Sequence, residues 1–158
     1  MKPGSHIQQE IRQGKPFASK SQEAVVALFR TADVLRGGLS RVFEPHGITG
    51  QQYNVLRILR GAGTEGLPTL DVAERMIERT PGITRLLDRL ERKGLVRRER
   101  CARDRRQILC WIQPAGLRLL DQVDGPLNAA EGRALAGLGV QRTEQLLRLL
   151  ELVREGHG

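Results

Sequence analysis

The sequence predicts a mainly helical protein with one small β-hairpin, and three observations carry that prediction. Apolar residues recur at the spacing of a helix face over most of the chain, capping signatures stand ahead of those stretches, and residues 96–112 read as two β-rich segments around a polar tip. The chain has 158 residues. A chain of that size buries roughly 70% of its unfolded surface, so its core needs no disulfide or metal staple.

Residues 1–20 mix Pro, Gly, Gln and charge without sustained periodicity and are expected to form an arm with a short helix around residues 7–12. Ser19 followed by Gln22 fits a capping box, and Leu28, Ala32, Leu35, Leu39 and Val42 then make one apolar stripe. A long helix is expected there, ending near Glu44 just before Pro45. Gly37 and Gly38 inside it weaken the helix by about 1 kcal/mol each relative to Ala, or else permit close packing. Thr49 with Gln52 repeats the capping box and Ile48 can staple to Tyr53, opening a second helix that is expected to end near Gly61.

Thr69 is expected to cap a short helix that turns Leu70, Ala73 and Met76 inward. Thr80 is expected to cap the next, with Pro81 as its first helical residue and Ile83, Leu87 and Leu90 as its apolar face. Gly94 can take the left-handed conformation that stops this helix, with Leu90 meeting Leu95 across the turn. Two short helices joined by a tight turn make a helix-turn-helix, the second placed to enter a major groove. Residues 96–101 and 108–112 follow as a hairpin, or wing, whose tip carries Arg103, Arg105 and Arg106. Pro114 opens a helix with Leu117, Leu120 and Val123 that is expected to be interrupted near Gly125 and Pro126. A last helix over residues 140–155 carries Leu146, Leu147, Leu149, Leu150 and Val153, apolar over more of its circumference than one packing face requires, which points to a subunit interface. The expected architecture is a winged helix-turn-helix with a helical dimerisation region. It comprises an N-terminal arm (1–20), a long first helix (21–48), the winged DNA-binding domain (49–113) and C-terminal helices that carry the subunit interface (114–158).

The charge is as uneven as the patterning. The net charge is +8, and residues 79–106 hold eleven basic side chains against four acidic ones, nearly the whole excess. Ten of the eleven are Arg, whose planar fork suits phosphates and guanine edges, so the cluster points to double-stranded DNA and not merely to a solvated face. Other classes fall away. The longest apolar run covers residues 24–29 where a membrane span needs roughly 20, and the first ten residues are too polar for a signal peptide, so a cytoplasmic location without membrane contact is expected. Two cysteines and three histidines show no metal-ligand spacing, so neither a metal, nor another cofactor, nor a disulfide framework is expected. Aromatic residues make up 3% of the chain, too few for a sheet that stacks single-stranded RNA. No nucleophile motif or phosphate loop stands out, so an enzyme is not expected.

The run TPGITRLLDRLERKG from Thr80 to Gly94, then LVRRER, the wing tip ARDRRQ and the closing PAGLRLL resembles the multiple-antibiotic-resistance regulator (MarR) family of bacterial transcription factors. The likeness covers about residues 22–153, and four such pieces in order at fixed spacing are specific where one alone is weak. It departs from the family pattern at Gln113, where a Thr usually caps the helix after the wing, and at Gly37 and Gly38, where ordinary helix formers stand. The resemblance implies a homodimer whose first and last helices intertwine, which makes 21–48 a dimerisation helix beside the C-terminal dimerisation helices of 114–158, a repressor of transcription, and a small-molecule effector bound between the dimerisation helices and the winged domain. Peroxide sensors of the family are expected to carry a Cys in the first long helix, and this chain has none there.

Roles for single residues follow. Thr80, Pro81, Gly82 and Thr84 lie at the start of the second helix of the motif, where hydroxyls and the helix N-terminus suit phosphate, and Arg85 can fork onto a guanine. Arg103 and Arg105 suit a narrow minor groove or its phosphates and Arg98 joins the DNA-contacting set, while Arg89 and Arg106 divide between DNA contact and a scaffold, Arg89 with Asp88 and Arg106 with Asp104. His46, Tyr53 and Arg57 offer polar handles to an aromatic or anionic effector, against plainer roles as turn, staple and solvated face. Cys101 and Cys110, one on each wing strand, are candidates for redox sensing beside Arg98 and Arg100, against a default as small buried hydrophobes. The rival reading is a module of the same architecture that senses oxidation through these cysteines or binds a protein partner.

Overall fold

A computed structural model describes residues 5–79 and 81–156. It divides into two compact units, one ending at Gly38 and the other beginning at Leu39. The elements are α1 (His6–Glu10), α2 (Lys20–Phe43), α3 (Gly50–Gly61), β1 (Leu67–Pro68), α4 (Thr69–Glu74), α5 (Ile83–Arg92), β2 (Val96–Arg100), β3 (Ile108–Ile112), α6 (Pro114–Leu135) and α7 (Gly139–Glu155). The protein is mostly helical with one small antiparallel sheet, as the patterning predicts.

In the first unit, the Gln22 N–H donates to Ser19 Oγ at 3.1 Å and opens α2. Arg30 of α2 pairs with Glu10 of α1 at 2.8 Å. A Cβ added at Gly37 or Gly38 would meet nothing within 4 Å.

The second unit is built around two apolar clusters. One gathers Val55, Leu56 and Leu59 of α3, Val72 of α4, Leu86, Leu87 and Leu90 of α5, and Val96, Cys110 and Leu120 from the sheet and α6. The other joins Phe43 and Ile48 to Val123 and Leu127 of α6. The reciprocal capping box is present at Thr49 and Gln52. Buried Asn54, on the same helix, accepts the Ile77 N–H through Oδ1 at 2.9 Å.

The sheet has the order β1-β3-β2, with Arg98 opposite Cys110 and Val96 opposite Ile112. Strand β1 is two residues long, Leu67 opposite Cys110 and Pro68 opposite Leu109, too short for an alternating pattern to reveal. Its presence explains two departures in α4. Extended backbone runs through Pro68, so Thr69 is the first helical residue and not its cap, and its hydroxyl donates to the Ile108 carbonyl at 3.2 Å. With Leu67 fixed in the core, the helix turns Val72 inward and leaves Leu70 74% exposed, and Met76 is buried just beyond its end.

Three further expectations change. Pro81 is not helical: it lies in a turn with Gly82, and α5 begins at Ile83. The expected cap at Thr80 lies outside the described residues. Nor does Pro126 interrupt α6, which runs through it to Leu135. Val123 and Leu127 are buried on either side, and Gln122 and Pro126 are exposed, so water can serve the carbonyl that proline leaves without a donor. Leu117 also lies outside the buried stripe of this helix, which is Gly116, Leu120, Val123 and Leu127.

Gly116 explains the Pro-x-Gly sequence. A Cβ there would stand 2.6 Å from the Leu95 carbonyl oxygen and 2.8 Å from Ile112 Cγ1, so only glycine lets α6 start this close to the sheet. Gln113 precedes α6 without a side-chain cap, and its N–H donates to Leu95 O at 2.9 Å.

Candidate nucleic-acid interface

Helix α5 is oriented by its three buried leucines. Leu86, Leu87 and Leu90 face the core, so Thr84, Arg85, Arg89 and Arg92 are exposed. Its end is fixed by a Schellman turn. The Leu95 N–H donates to Leu90 O at 3.0 Å, the Gly94 N–H to Glu91 O at 2.8 Å, and Gly94 has φ +67°.

The side of α5 nearest the sheet is acidic. Asp88 Oδ1 accepts from Arg98 Nη2 at 2.5 Å, and Glu91 accepts from Arg98 Nε at 3.0 Å and from the Arg98 N–H at 3.1 Å. Arg98 is only 17% exposed. Burial opposes its charge, and the two carboxylates more than offset that, raising its pKa further. Sequence reasoning placed Arg98 among the DNA-contacting arginines and paired Asp88 with Arg89; the structure instead commits Arg98 to joining β2 to α5 and leaves Arg89 outside the pair. The next residues on β2 turn to the other face of the sheet, where Arg97 pairs with Glu99 and lies over the Trp111 ring, 4.3 Å from its centroid. The Trp111 indole N–H donates to Thr64 O at 3.0 Å. Gly66, at φ +72°, is required beneath it, since a Cβ would fall 2.5 Å from the indole.

At the wing tip, Asp104 acts as a turn former. Its Oδ1 accepts the Arg106 N–H at 3.0 Å and lies 3.5 Å from Arg106 Nε, while its carbonyl accepts the Gln107 N–H at 2.9 Å. Arg103, Arg105 and Arg106 are exposed. Among the described residues, Arg85, Arg89, Arg103 and Arg105 have no carboxylate partner. The result is a charge-segregated surface, with uncompensated guanidinium groups on the outer face of α5 and the wing, and compensated ones between them.

The two cysteines are not a redox pair in this geometry. Cys110 is fully buried opposite Arg98, whereas the Cys101 N–H donates to Gln107 O three positions further along the ladder. That offset corresponds to about 10 Å, beyond disulfide reach. Burial pushes the Cys110 thiol pKa up despite the nearby Thr69 hydroxyl and Arg98, opposite to the shift that activates a sensing thiol.

The candidate effector handles separate as well. Tyr53 stacks on Phe43 with ring centroids 5.1 Å apart, and its hydroxyl donates to Asp124 Oδ1 at 2.9 Å. Arg60 donates to Asp124 Oδ2 at 2.7 Å. Burial, then the Asp124 hydrogen bond, pushes the Tyr53 pKa up to about 12. For Asp124, burial works upward, but the bonds from Arg60 and Tyr53 prevail and hold its carboxyl below the ordinary value. Arg57 is exposed beside this group, and His46 sits on a short turn after α2 outside these hydrogen bonds. Asp124 and Arg60 were missed from sequence, although Tyr53, Arg57 and Arg60 form a polar stripe at helical spacing.

A helix-turn-helix followed by an arginine-tipped wing defines a winged-helix DNA-binding protein. The MarR family model matches residues 46–107. A MarR transcription factor from Planctomyces limnophilus of known structure is 39% identical, covering 86% of this chain and 98% of that one, with a TM-score of 0.67. The MepR–DNA complex of S. aureus is 26% identical over 82% of this chain and 96% of that one, with a TM-score of 0.75. The homoprotocatechuate degradative operon repressor of Escherichia coli is 27% identical over 80% of this chain and 84% of its own length. The chain belongs to the MarR family of transcriptional regulators.

Proposed function

We propose that the protein is a dimeric repressor that reads a pseudo-palindromic operator in double-stranded DNA and is released by a small effector. The observation that carries this reading is the set of unpaired guanidinium groups at Arg85, Arg89, Arg103 and Arg105, on α5 and on the wing that Arg98 ties to it. In a twofold dimer, two α5 helices enter successive major grooves roughly 34 Å apart. Arg85 reads base edges, and Thr80, Pro81, Gly82 and Thr84 bring the chain against a phosphate. Arg89, Arg103, Arg105 and Arg106 hold the backbone or a narrow minor groove, and Arg98 serves the interface by fixing the angle of the wing.

The exposed apolar residues of α7, among them Leu149 and Leu152, supply one dimerisation surface, and those of α2, among them Phe29, supply another. In the domain plan this gives 21–48 and 114–158 to dimerisation, 49–113 to DNA, and 1–20 to an arm. Repression is favoured by the E. coli relative, whose name makes it an operon repressor. An effector near His46, Tyr53 and Arg57 acts by competing for the Tyr53–Asp124–Arg60 bonds between α3 and α6. The absence of any helix long and apolar enough to cross a membrane among the described residues is consistent with a cytoplasmic site of action.

The test is fluorescence anisotropy on a selected duplex and on a random one across a salt series. Arg85→Ala is expected to lose about 1–3 kcal/mol on the selected duplex and little on the random one. Arg105→Ala is expected to weaken both and lower the salt slope by about 1. Equal loss on both duplexes for Arg85→Ala would contradict the base-reading role.

A further inference from the structure

Asn54 is a polar residue in an apolar place. It lies on α3 between Tyr53 and Val55 and is 4% exposed, on a helix whose Val55, Leu56 and Leu59 belong to the apolar core. Its Oδ1 accepts the Ile77 N–H at 2.9 Å, while its Nδ2 is buried without a hydrogen-bond partner among the described residues. An unsatisfied buried amide is unfavourable, and an apolar side chain of similar size avoids it, so general stability is a poor explanation for an asparagine here. The other end of the bond supplies a better one. The Arg75 N–H still donates to Asp71 O and the Met76 N–H to Ala73 O; Ile77 is the first residue beyond these closing turns of α4. Its side chain is 76% exposed, so apolar burial does not hold it. The segment that begins there leads into α5, and Gly82, directly ahead of α5, has no side chain with which to cap it.

We infer that Asn54 is a positioning residue for DNA reading: it anchors the connection between α4 and α5 to the core and thereby sets where the N-terminus of α5 and Arg85 lie. This rests on the DNA-reading role above. Asn54→Leu frees the Ile77 amide and removes the buried donor in one step, so thermal stability and sequence selectivity are expected to part company.

The experiment uses the full chain and a duplex that the unaltered protein enriches from a randomised pool. Affinities for that duplex and for a random one of equal length are measured at one salt concentration, with melting temperatures and the amide exchange of Ile77. Asn54→Leu is expected to cut the ratio of the two affinities about tenfold while binding to the random duplex stays within about twofold. The Ile77 amide is expected to be protected in the unaltered protein and to lose that protection in Asn54→Leu. Full selectivity in Asn54→Leu, equal losses on both duplexes, or an unprotected Ile77 amide in the unaltered protein would each overturn the inference; the last holds even if Asn54→Leu fails to fold. If the unaltered protein enriches no duplex at all, the DNA-reading role itself fails and this inference with it.

Discussion

Helix α5 buries Leu86, Leu87 and Leu90 under its arginines, whereas α7, seven residues longer and just as leucine-rich, buries no residue at all. Both present leucines at helical spacing, so the difference lies in what surrounds them. Around α5 stand α3, α4 and β2, and its apolar stripe is covered within the chain. Leu149 and Leu152 of α7 are 61% and 63% exposed. A stripe of this kind reports that a helix needs a cover, and only the assembled structure tells whether the cover is the chain's own.

The contrast can be broken first at α7. Replacing Leu149 and Leu152 together by Glu is expected to remove about 3 kcal/mol or more of association free energy, shifting sedimentation from twice the chain mass to once, with Trp111 fluorescence preserved. An unchanged sedimentation pattern would mean that α7 is not the dimer surface. Leu87→Ala, at a fully buried site of α5, is expected to lower unfolding stability by about 3 kcal/mol in urea titrations. Arg98→Met keeps the apolar stem but leaves Asp88 and Glu91 unpaired, and is expected to lower stability by about 2 kcal/mol and to weaken binding to all duplexes by loosening the wing.

The smallest effect belongs to the polar link between α3 and α6. Asp124→Asn is expected to lose about 1 kcal/mol at pH 7, since the group is partly solvated. Because the Asp124 carboxyl sits below its ordinary value of 3.8 in the folded chain, its contribution is present above that pH and fades as pH falls through the lower folded value. The gap between the two proteins should therefore narrow in unfolding curves taken below about pH 4. Tyr53 acts at the other extreme: pushed up to about 12, it contributes fully below its ordinary value of 10.0 and ceases to do so as pH rises toward 12.

The helices and the hairpin were legible because each is long enough to display its period and carries its own punctuation: Thr49 with Gln52, and Gly94 with Leu95. The exposed arginines of α5 and the wing were legible as a charge cluster. What escaped depends on contacts distant in sequence. Strand β1 exists only because β3, some forty residues later, pairs with it, and that pairing rotates Leu70 outward. Arg98 looks like its neighbours until the register places it beside Asp88 and Glu91. Pro126 reads as a breaker until buried Val123 and Leu127 hold the helix together across it. Asn54 carries no local signal, because its partner is in the turn two elements away.

The close seating of Gly116 against Leu95 and Ile112 makes a fulcrum of the first turn of α6. From there to Leu135 the helix extends by about 29 Å at 1.5 Å per residue, so a tilt of about 5° at the pivot displaces its far end by about 2.5 Å.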